Sequence, residues 1–173
     1  MHMTKFLPAA ALLIGNVLAD GAAIVAALGT IAADTADLNN TVLVWNGGLL
    51  GTLPIIATST ALLVNINKAT STAESSDELS VVEAVTVSLA TQALIQDLDT
   101  TLTTMIAAKS KFDPLFLSPV ILVDLELDKV ATDKLSKAIK SKLPADVASA
   151  ADQLAAQIDA AFDEAINVYK GPW

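Results

Sequence analysis

The chain has 173 residues, which is enough for one domain, and its 10 basic and 19 acidic residues give a net charge of -9 at pH 7. Every basic residue is Lys, and this charge argues against a nucleic-acid partner, because phosphate neutralisation needs a basic face. Cys is absent, which removes disulfides, thiolate nucleophiles and cysteine metal sites. Hydrophobic residues make up 53% but aromatic residues only 4%, so the apolar mass is aliphatic and favours closely packed helices.

The first twenty residues have the pattern of a secretory leader. Lys5 precedes an apolar run over 6–15, and small residues up to Ala19 suit cleavage before Asp20. The run is about ten residues long, against the roughly 20 that a membrane span needs, so no transmembrane segment is predicted. We predict a leader over 1–19 and a helical domain over 20–173. The alternative is an ordered apolar extension that packs on the first helix of its own or a neighbouring chain.

Two helices are predicted next, over about 21–45 and 53–68. Apolar residues recur at intervals of three and four in both, which is typical of an amphipathic helix. The first ends at 46–48, where Asn and Gly tolerate positive φ, and the second has Pro54 in its first turn. The polar stretch 69–76 is predicted to be a turn.

A long third helix is predicted over about 77–109. Ser75 and Glu78 have the spacing of a capping box at its start. A connector over 110–117 follows. The predicted apolar stripe of this helix comprises Val85, Leu89, Gln92, Ile95, Leu102 and Met105 or Ile106.

The last two helices begin at proline-containing signals. Ser118 and Pro119 are predicted as N-cap and first helical residue of a helix that runs to about 143, and Pro144 starts the fifth helix. Short connections between five helices predict an all-α fold, a single antiparallel bundle. The residues predicted to be buried on the stripes are Ile31, Leu38, Val42, Leu62, Leu89, Leu102, Leu135, Leu154 and Ile158.

The residues needed for catalysis are missing. His2 is the only histidine and lies at the very start of the chain, before the apolar run of the leader, so no Ser-His pair, histidine metal cluster or imidazole base can form. Asp124, Glu126 and Asp128 alternate around a helix, and we predict solvated faces for them. The glycine-rich segment 45–51 lacks the Lys of a phosphate loop and is predicted to be a helix end with an anchoring Trp. We therefore predict no enzyme activity, metal or cofactor.

Three polar residues interrupt the apolar stripes: Ser59, Ser88 and Gln92. Serine can bond to the preceding helical turn and glutamine can bridge two helices, as buried polar groups commonly do. Alternatively, the three residues line a lumen and receive the polar head of an apolar ligand. A glycosylation sequon at 39–41 requires Asn39 to face solvent if it is used.

Four segments stand in the order WNGGLLGTLPI at 45–55, KFDPLFLSPV at 111–120, KLP at 142–144 and QIDAAFDEAI at 157–166. With these segments the chain resembles the fungal hydrophobic surface binding protein A family, which includes the cell-wall galactomannoprotein antigens. The resemblance implies a secreted or cell-wall helical bundle that binds fatty acids in a lengthwise apolar cavity. It also implies an alternative, a surface-active adaptor that coats hydrophobic solids and recruits secreted esterases.

We predict that the chain binds a long-chain fatty acid or similar lipid. Burial of sixteen carbons yields roughly 12 kcal/mol at about 0.8 kcal/mol per methylene, against association costs of about 4–15 kcal/mol. The carboxylate is expected near Ser59, Ser88 or Gln92. The predicted ligand-binding residues are Ser59, Leu62, Ile66, Val85, Ser88, Leu89, Gln92, Met105, Phe116, Leu125, Ile158 and Phe162.

Overall fold

A computed structural model describes residues 14–172, which form five α-helices and contain no β-strand. The helices are α1 (Ile14–Val44), α2 (Thr52–Ser75), α3 (Val81–Phe112), α4 (Ser118–Lys140) and α5 (Ala148–Tyr169). Short 3-10 turns lead into α2, α4 and α5. The predicted all-α bundle is confirmed. Of the predicted leader, 1–13 lie outside the described residues and 14–19 fall in the first turns of α1, so the leader stays a prediction.

The helices close into a ring in the order α1, α2, α4, α5, α3, and α3 packs back against α1. Helices that follow one another along the chain run in opposite directions. As a result, α1 and α3 are neighbours that run in parallel. Near their C-terminal ends Lys111 Nζ donates to the main-chain carbonyl of Trp45 at 2.8 Å, and midway Thr101 Oγ1 donates to that of Thr35 at 3.2 Å. The ring leaves one apolar interior that is shared by all five helices.

The turn after α1 is organised around Trp45. Its indole Nε1 donates to the carbonyl of Gly48 at 2.8 Å, and its ring lies 4.4 Å from that of Phe112 between centroids. Gly47 adopts a φ of 89°, which favours glycine, and a Cβ on Gly51 would lie 2.5 Å from the Trp45 ring. The predicted helix end with an anchoring Trp is confirmed.

The junction between α2 and α3 differs from the prediction. The segment 69–76, predicted to be a turn, is helical up to Ser75, because Ala69 and Ala73 pack into the core and Thr70 Oγ1 donates to the carbonyl of Ile66 at 3.0 Å. The Thr70 hydroxyl thereby donates its proton to a carbonyl of the same helix and does not interrupt the helix.

The capping box predicted at Ser75 and Glu78 is wrong, because the box is formed by Ser80 and Glu83. Glu83 is buried, and its carboxylate also accepts a hydrogen bond from the main-chain N–H of Gly21 at 3.2 Å. These donors, with the Ser80 hydroxyl foremost, lower the pKa of Glu83. One carboxylate therefore caps α3 and joins it to α1.

The face of α3 that points inward also differs from the prediction. Val85 and Leu89 are 49% and 61% exposed, whereas Ala84 and Val87 are buried. The helix carries aliphatic residues on more than one side, so periodicity alone selected the wrong stripe in its first half. Seven of the predicted core residues are confirmed as buried, Leu154 is half-buried and Leu89 is exposed. The seven are Ile31, Leu38, Val42, Leu62, Leu102, Leu135 and Ile158.

The N-terminal half of α5 packs less deeply than the rest of the bundle. Ile158 is its first fully buried residue, and Ala151, Leu154 and Ala155 are half-buried. Ion pairs from Lys129 to Asp159 at 3.1 Å and Asp163 at 3.2 Å hold the C-terminal half against α4.

Three helical stretches of the described chain are long and apolar enough to cross a membrane, by length and composition alone. They are Asp20–Val44, Leu49–Ser75 and Val81–Leu115. The prediction of no transmembrane segment rested on the short apolar run of the leader and did not take these stretches into account. In the bundle each of these stretches buries one side against neighbouring helices.

Candidate functional site

Two cavities lie along the interior of the bundle. One, of about 50 Å³, is lined by all five helices and contains Asp124 and Asp128; we call it the acidic cavity. The other, of about 60 Å³, lies nearer the N-terminal end of α1 and is lined from α1, α3, α4 and α5; we call it the neutral cavity. Both are lined mainly by aliphatic side chains and share Leu94, Thr132 and Ile158, so together they follow the long axis of the bundle.

Half of the predicted ligand-binding residues line the acidic cavity. They are Leu62, Ile66, Met105, Leu125, Ile158 and Phe162. Each occupies the inner stripe of its helix, where spacing of three and four residues places side chains on one face. Their convergence follows from the ring arrangement of the helices.

Five predicted residues lie outside both cavities: Ser59, Val85, Leu89, Gln92 and Phe116. Val85, Leu89 and Gln92 face solvent, because α3 turns its other aliphatic side inward. Phe116 is 87% exposed in the connector before α4, where its own backbone adopts a left-handed φ of 57°. The structure therefore does not bring Val85, Leu89, Gln92 or Phe116 to either cavity.

The predicted polar residues do not meet in one site. Ser59 is buried on α2, and its hydroxyl donates to Asp124 on α4. Ser88 lines the neutral cavity and donates to the carbonyl of Ala84 at 2.8 Å. Both serines thus use their donors inside the protein, and Gln92 neither bridges helices nor reaches a cavity, so the predicted head-group trio is not assembled.

Two carboxyl groups that were predicted to face solvent instead line the acidic cavity. Asp124 and Asp128 are four residues apart and share the inner face of α4, whereas Glu126 is exposed. Asp128 is only 5% exposed, and its Oδ1 atom has no hydrogen-bond partner in the described protein. The sequence did contain a signal for the burial of Asp128. The residue continues the helical spacing of Ile121 and Leu125 and therefore falls on the apolar stripe of α4.

Burial changes the protonation of this pair. It raises the pKa of Asp128 to about 8, and the neighbouring Asp124 carboxylate adds to the rise. Burial also raises the pKa of Asp124, while the hydrogen bond from Ser59 opposes that rise. At neutral pH Asp128 therefore carries its proton, because an isolated carboxylate in an apolar interior is very costly.

Asn39 of the sequon lies within α1 and is half-buried. Its Oδ1 atom is buried without a hydrogen-bond partner among the described residues. The orientation that the sequon requires, with Asn39 facing solvent, is therefore not met in the folded chain.

The described residues contain no group of three His, Cys, Asp or Glu side chains that could hold a metal ion. The titratable groups in the cavities are the two carboxyls on α4, set among aliphatic side chains from every helix. Such an interior can sequester an apolar molecule and meet its polar end with a carboxyl group.

Five helices form a ring around a lengthwise apolar interior. This arrangement defines the class as an all-helical protein with an internal cavity of the kind that holds apolar ligands. The family model described as Hydrophobic surface binding protein A matches residues 21–141. The chain belongs to this family, as the sequence segments predicted.

Cell wall mannoprotein 1 of Aspergillus fumigatus is 30% identical over 146 residues, covering 84% of this chain and 51% of the relative. Cell wall mannoprotein 1 of Aspergillus flavus is 29% identical over 136 residues, covering 79% of this chain and 49% of the relative. The chain thus spans about half the length of the curated relatives it matches.

Solved structures share the fold. Afmp4p, solved in complex with palmitic acid, superposes with a TM-score of 0.84 at 30% identity over 86% of this chain and 99% of that one. Ligand binding domain 1 of the Penicillium marneffei MP1 protein, complexed with arachidonic acids, gives a TM-score of 0.83 at 21% identity over 87% of this chain and 98% of that one. The second likeness concerns the fold alone.

Proposed function

We propose that this chain is a secreted or cell-wall protein, without catalytic activity, that binds long-chain fatty acids or similar lipids inside the bundle. The observation that carries the proposal is the pair of adjoining, mainly aliphatic cavities that together are lined from all five helices. The palmitic acid complex of Afmp4p, which shares the fold at 30% identity, supports the same ligand class. The family and the names of the mannoprotein relatives support the location.

The acyl chain supplies the binding energy. Each methylene that leaves water contributes about 0.8 kcal/mol, so a sixteen-carbon chain offers roughly 12 kcal/mol before association costs of about 4–15 kcal/mol. Useful affinity therefore does not require a cation for the head group. This matters because the residues that line the acidic cavity include no Lys.

The interior must widen to admit such a chain. Cavities of about 50 and 60 Å³ hold a few waters each, since one water needs about 10–15 Å³ of such space. A lipid would join the two cavities at Leu94, Thr132 and Ile158. The N-terminal part of α5 covers the neutral cavity with half-buried Ala151, Leu154 and Ala155, so its displacement would uncover no fully buried side chain before Ile158. We infer that lipid enters beneath this segment.

A pair of variants on one helix tests the site. Leu94 lines both cavities, whereas Leu89 on the same helix is 61% exposed. In a displacement titration with a fluorescent fatty acid, Leu94→Trp should lower affinity by about tenfold or more, because the larger ring occupies the junction. Leu89→Trp should leave affinity unchanged. The proposal fails if the unmodified chain binds no displaceable lipid, or if both variants behave alike.

A second candidate function is adsorption to hydrophobic solids. One end of the bundle exposes a cluster of large apolar side chains, each at least 59% exposed, which we call the apolar end. Its members are Leu43, Val44, Leu49, Leu50, Leu53 and Phe116. Large exposed apolar patches commonly mark interaction surfaces, and a secreted esterase bound to the adsorbed protein would be brought to the solid.

The two functions separate experimentally because the apolar end contributes no residue to either cavity. A Leu50→Ser, Phe116→Ser double variant should lose adsorption to polystyrene beads and keep its fatty-acid affinity. If the double variant adsorbs as well as the unmodified chain does, the apolar end is not the adsorbing surface. Adsorption of a purified esterase on coated and bare beads tests recruitment.

A further inference from the structure

We infer that the acidic cavity receives the head group of a lipid that donates a hydrogen bond, such as a long-chain alcohol or amine, in preference to a fatty-acid carboxylate. This inference rests on the proposed function, in which a lipid enters the interior. The inference is based on the polar atoms that face the acidic cavity. Among these atoms, hydrogen-bond acceptors outnumber the donors that are free to bind a ligand.

The donors around the cavity are largely committed to the protein itself. Thr35 Oγ1 donates to the carbonyl of Ile31 at 2.8 Å, and Thr101 Oγ1 shares its proton between the carbonyls of Asp97 at 2.8 Å and Thr35 at 3.2 Å. The hydroxyl of Ser59, behind the lining, donates to Asp124. A hydroxyl has one proton to donate, so the free donors that remain in the lining are the Thr132 hydroxyl and the proton that Asp128 carries at neutral pH.

The acceptor oxygens of the acidic cavity, by contrast, remain available to a ligand. Asp128 Oδ1 is buried without a partner, although buried polar atoms are nearly always hydrogen-bonded. Asp124 lines the same cavity one helical turn away and brings further acceptor oxygens. A ligand that donates to Asp128 would satisfy an atom that the fold leaves unsatisfied.

No cation balances a second negative charge in the cavity. The charged groups on the helices around α4 are engaged elsewhere: Asp34 of α1 accepts from Asn65 of α2 at 2.6 Å, and Asp159 and Asp163 of α5 pair with Lys129. On α3, Asp97 and Asp99 are exposed. None of these groups lines the acidic cavity. A carboxylate head group would therefore meet two carboxyl groups and no compensating charge, which disfavours its ionised form.

The alkyl tail has a route away from the head group. Asp128 lies in the acidic cavity and Ile139 lies in the neutral cavity, eleven residues further along α4. This separation corresponds to roughly 16 Å at about 1.5 Å per residue. The apolar lining between them accommodates a long chain once the two cavities join.

The raised pKa of Asp128, about 8, adds a pH dependence. Below this pH a fatty acid can share one proton with Asp128, as paired carboxyl groups do. Above it both groups lose that proton and repel, so palmitate affinity should fall. An alcohol keeps its donor throughout, and an amine gains an ion pair as Asp128 ionises.

The test uses four sixteen-carbon probes, 1-hexadecanol, hexadecylamine, palmitate and methyl palmitate, each displacing the same fluorescent lipid from the full chain. At about pH 6.5 hexadecanol should bind about tenfold more tightly than methyl palmitate, which lacks a donor. Between about pH 6.5 and about pH 9.5 palmitate should weaken by about tenfold or more, while hexadecanol changes little.

Asp128→Asn replaces the acidic group with an amide of the same shape that can donate. This variant should bind palmitate about tenfold more tightly relative to hexadecylamine and should lose the pH dependence of palmitate binding. Asp124→Asn should change the preference in the same direction, which keeps the inference testable if the first variant fails to fold. Asp99→Asn, at an exposed position, is the matched control and should leave the preference unchanged.

The outcomes separate the two proposals. If no probe binds, both the proposed function and this inference fail. If all four probes bind the unmodified chain with equal affinity and equal pH dependence, lipid binding stands and this inference is overturned. It is also overturned if the Asp99→Asn control shifts the preference as much as Asp128→Asn does.

Discussion

The Tyr169 hydroxyl donates a 2.6 Å hydrogen bond to the main-chain carbonyl of Met105. The tyrosine is fully buried, and burial raises the pKa of its hydroxyl, so the group stays protonated and able to donate. The bond joins the last turn of α5 to α3. It secures the C-terminal end of α5, whereas the helix contains no buried residue before Ile158.

Removal of this hydroxyl should destabilise the bundle modestly. We expect Tyr169→Phe to lower the free energy of unfolding by about 0.5–1.5 kcal/mol, because the ring still packs and only the hydrogen bond is lost. Urea denaturation followed by circular dichroism measures this change. Thr100→Ala serves as the control, since its exposed hydroxyl bonds only within its own helix. Equal stability of Tyr169→Phe and the unmodified chain would contradict the expectation.

Burial of Asp128 should make the fold less stable as the pH rises. Its folded-state pKa of about 8 lies above the usual unfolded value of about 3.9, so between these values the folded state binds more protons than the unfolded state. The free energy of unfolding should then fall from about pH 4 to about pH 8, by up to about 1.4 kcal/mol per pH unit from this group.

Asp128→Asn should therefore be more stable than the unmodified chain at neutral pH and should flatten this slope. Thermal unfolding at several pH values provides the comparison, with Asp99→Asn as a solvent-exposed control. An unchanged slope in Asp128→Asn would show that Asp128 ionises normally in the folded chain.

Ser59 and Ser88 form a matched pair of substitutions. Ser59 donates to the carboxyl of Asp124 across two helices, whereas Ser88 donates only to the carbonyl of Ala84 in its own helix. We expect Ser59→Ala to lower the free energy of unfolding by about 1–2 kcal/mol and Ser88→Ala by less than about 0.5 kcal/mol. Chemical denaturation near pH 7 measures both. Equal losses would mean that the bond between Ser59 and Asp124 contributes nothing specific.

Two glycines should respond to alanine in opposite directions. A Cβ on Gly51 would lie 2.5 Å from the Trp45 ring, while a Cβ on Gly29, at an exposed position of α1, meets nothing within 4 Å. Gly51→Ala should destabilise by about 1–3 kcal/mol through overpacking. Gly29→Ala should stabilise by up to about 1 kcal/mol through helix propensity. The melting temperatures of both variants measure these effects. An unchanged melting temperature of Gly51→Ala would show that the Trp45 ring moves aside without cost.

Much of the fold is encoded locally. The break after α1 follows from Asn46, Gly47 and Gly48, and the entry to α2 and α4 from prolines in their first turns. On α1 and α2 a single apolar stripe separates clearly from polar residues, so Ile31 and Leu62 were placed correctly in the core. These features depend on residues a few positions apart, which the sequence displays directly.

The amino-acid sequence by itself thus determined the helical class, the number of helices and half of the apolar residues that line the acidic cavity. Tertiary structure decided which side of α3 faces inward, because both Leu89 and Val87 suit a core and only packing against α1 and α5 selects Val87. It also decided that Asp128 is buried beside Asp124. The protonation of a carboxyl group depends on the atoms that surround it, and those atoms come from helices distant in the chain.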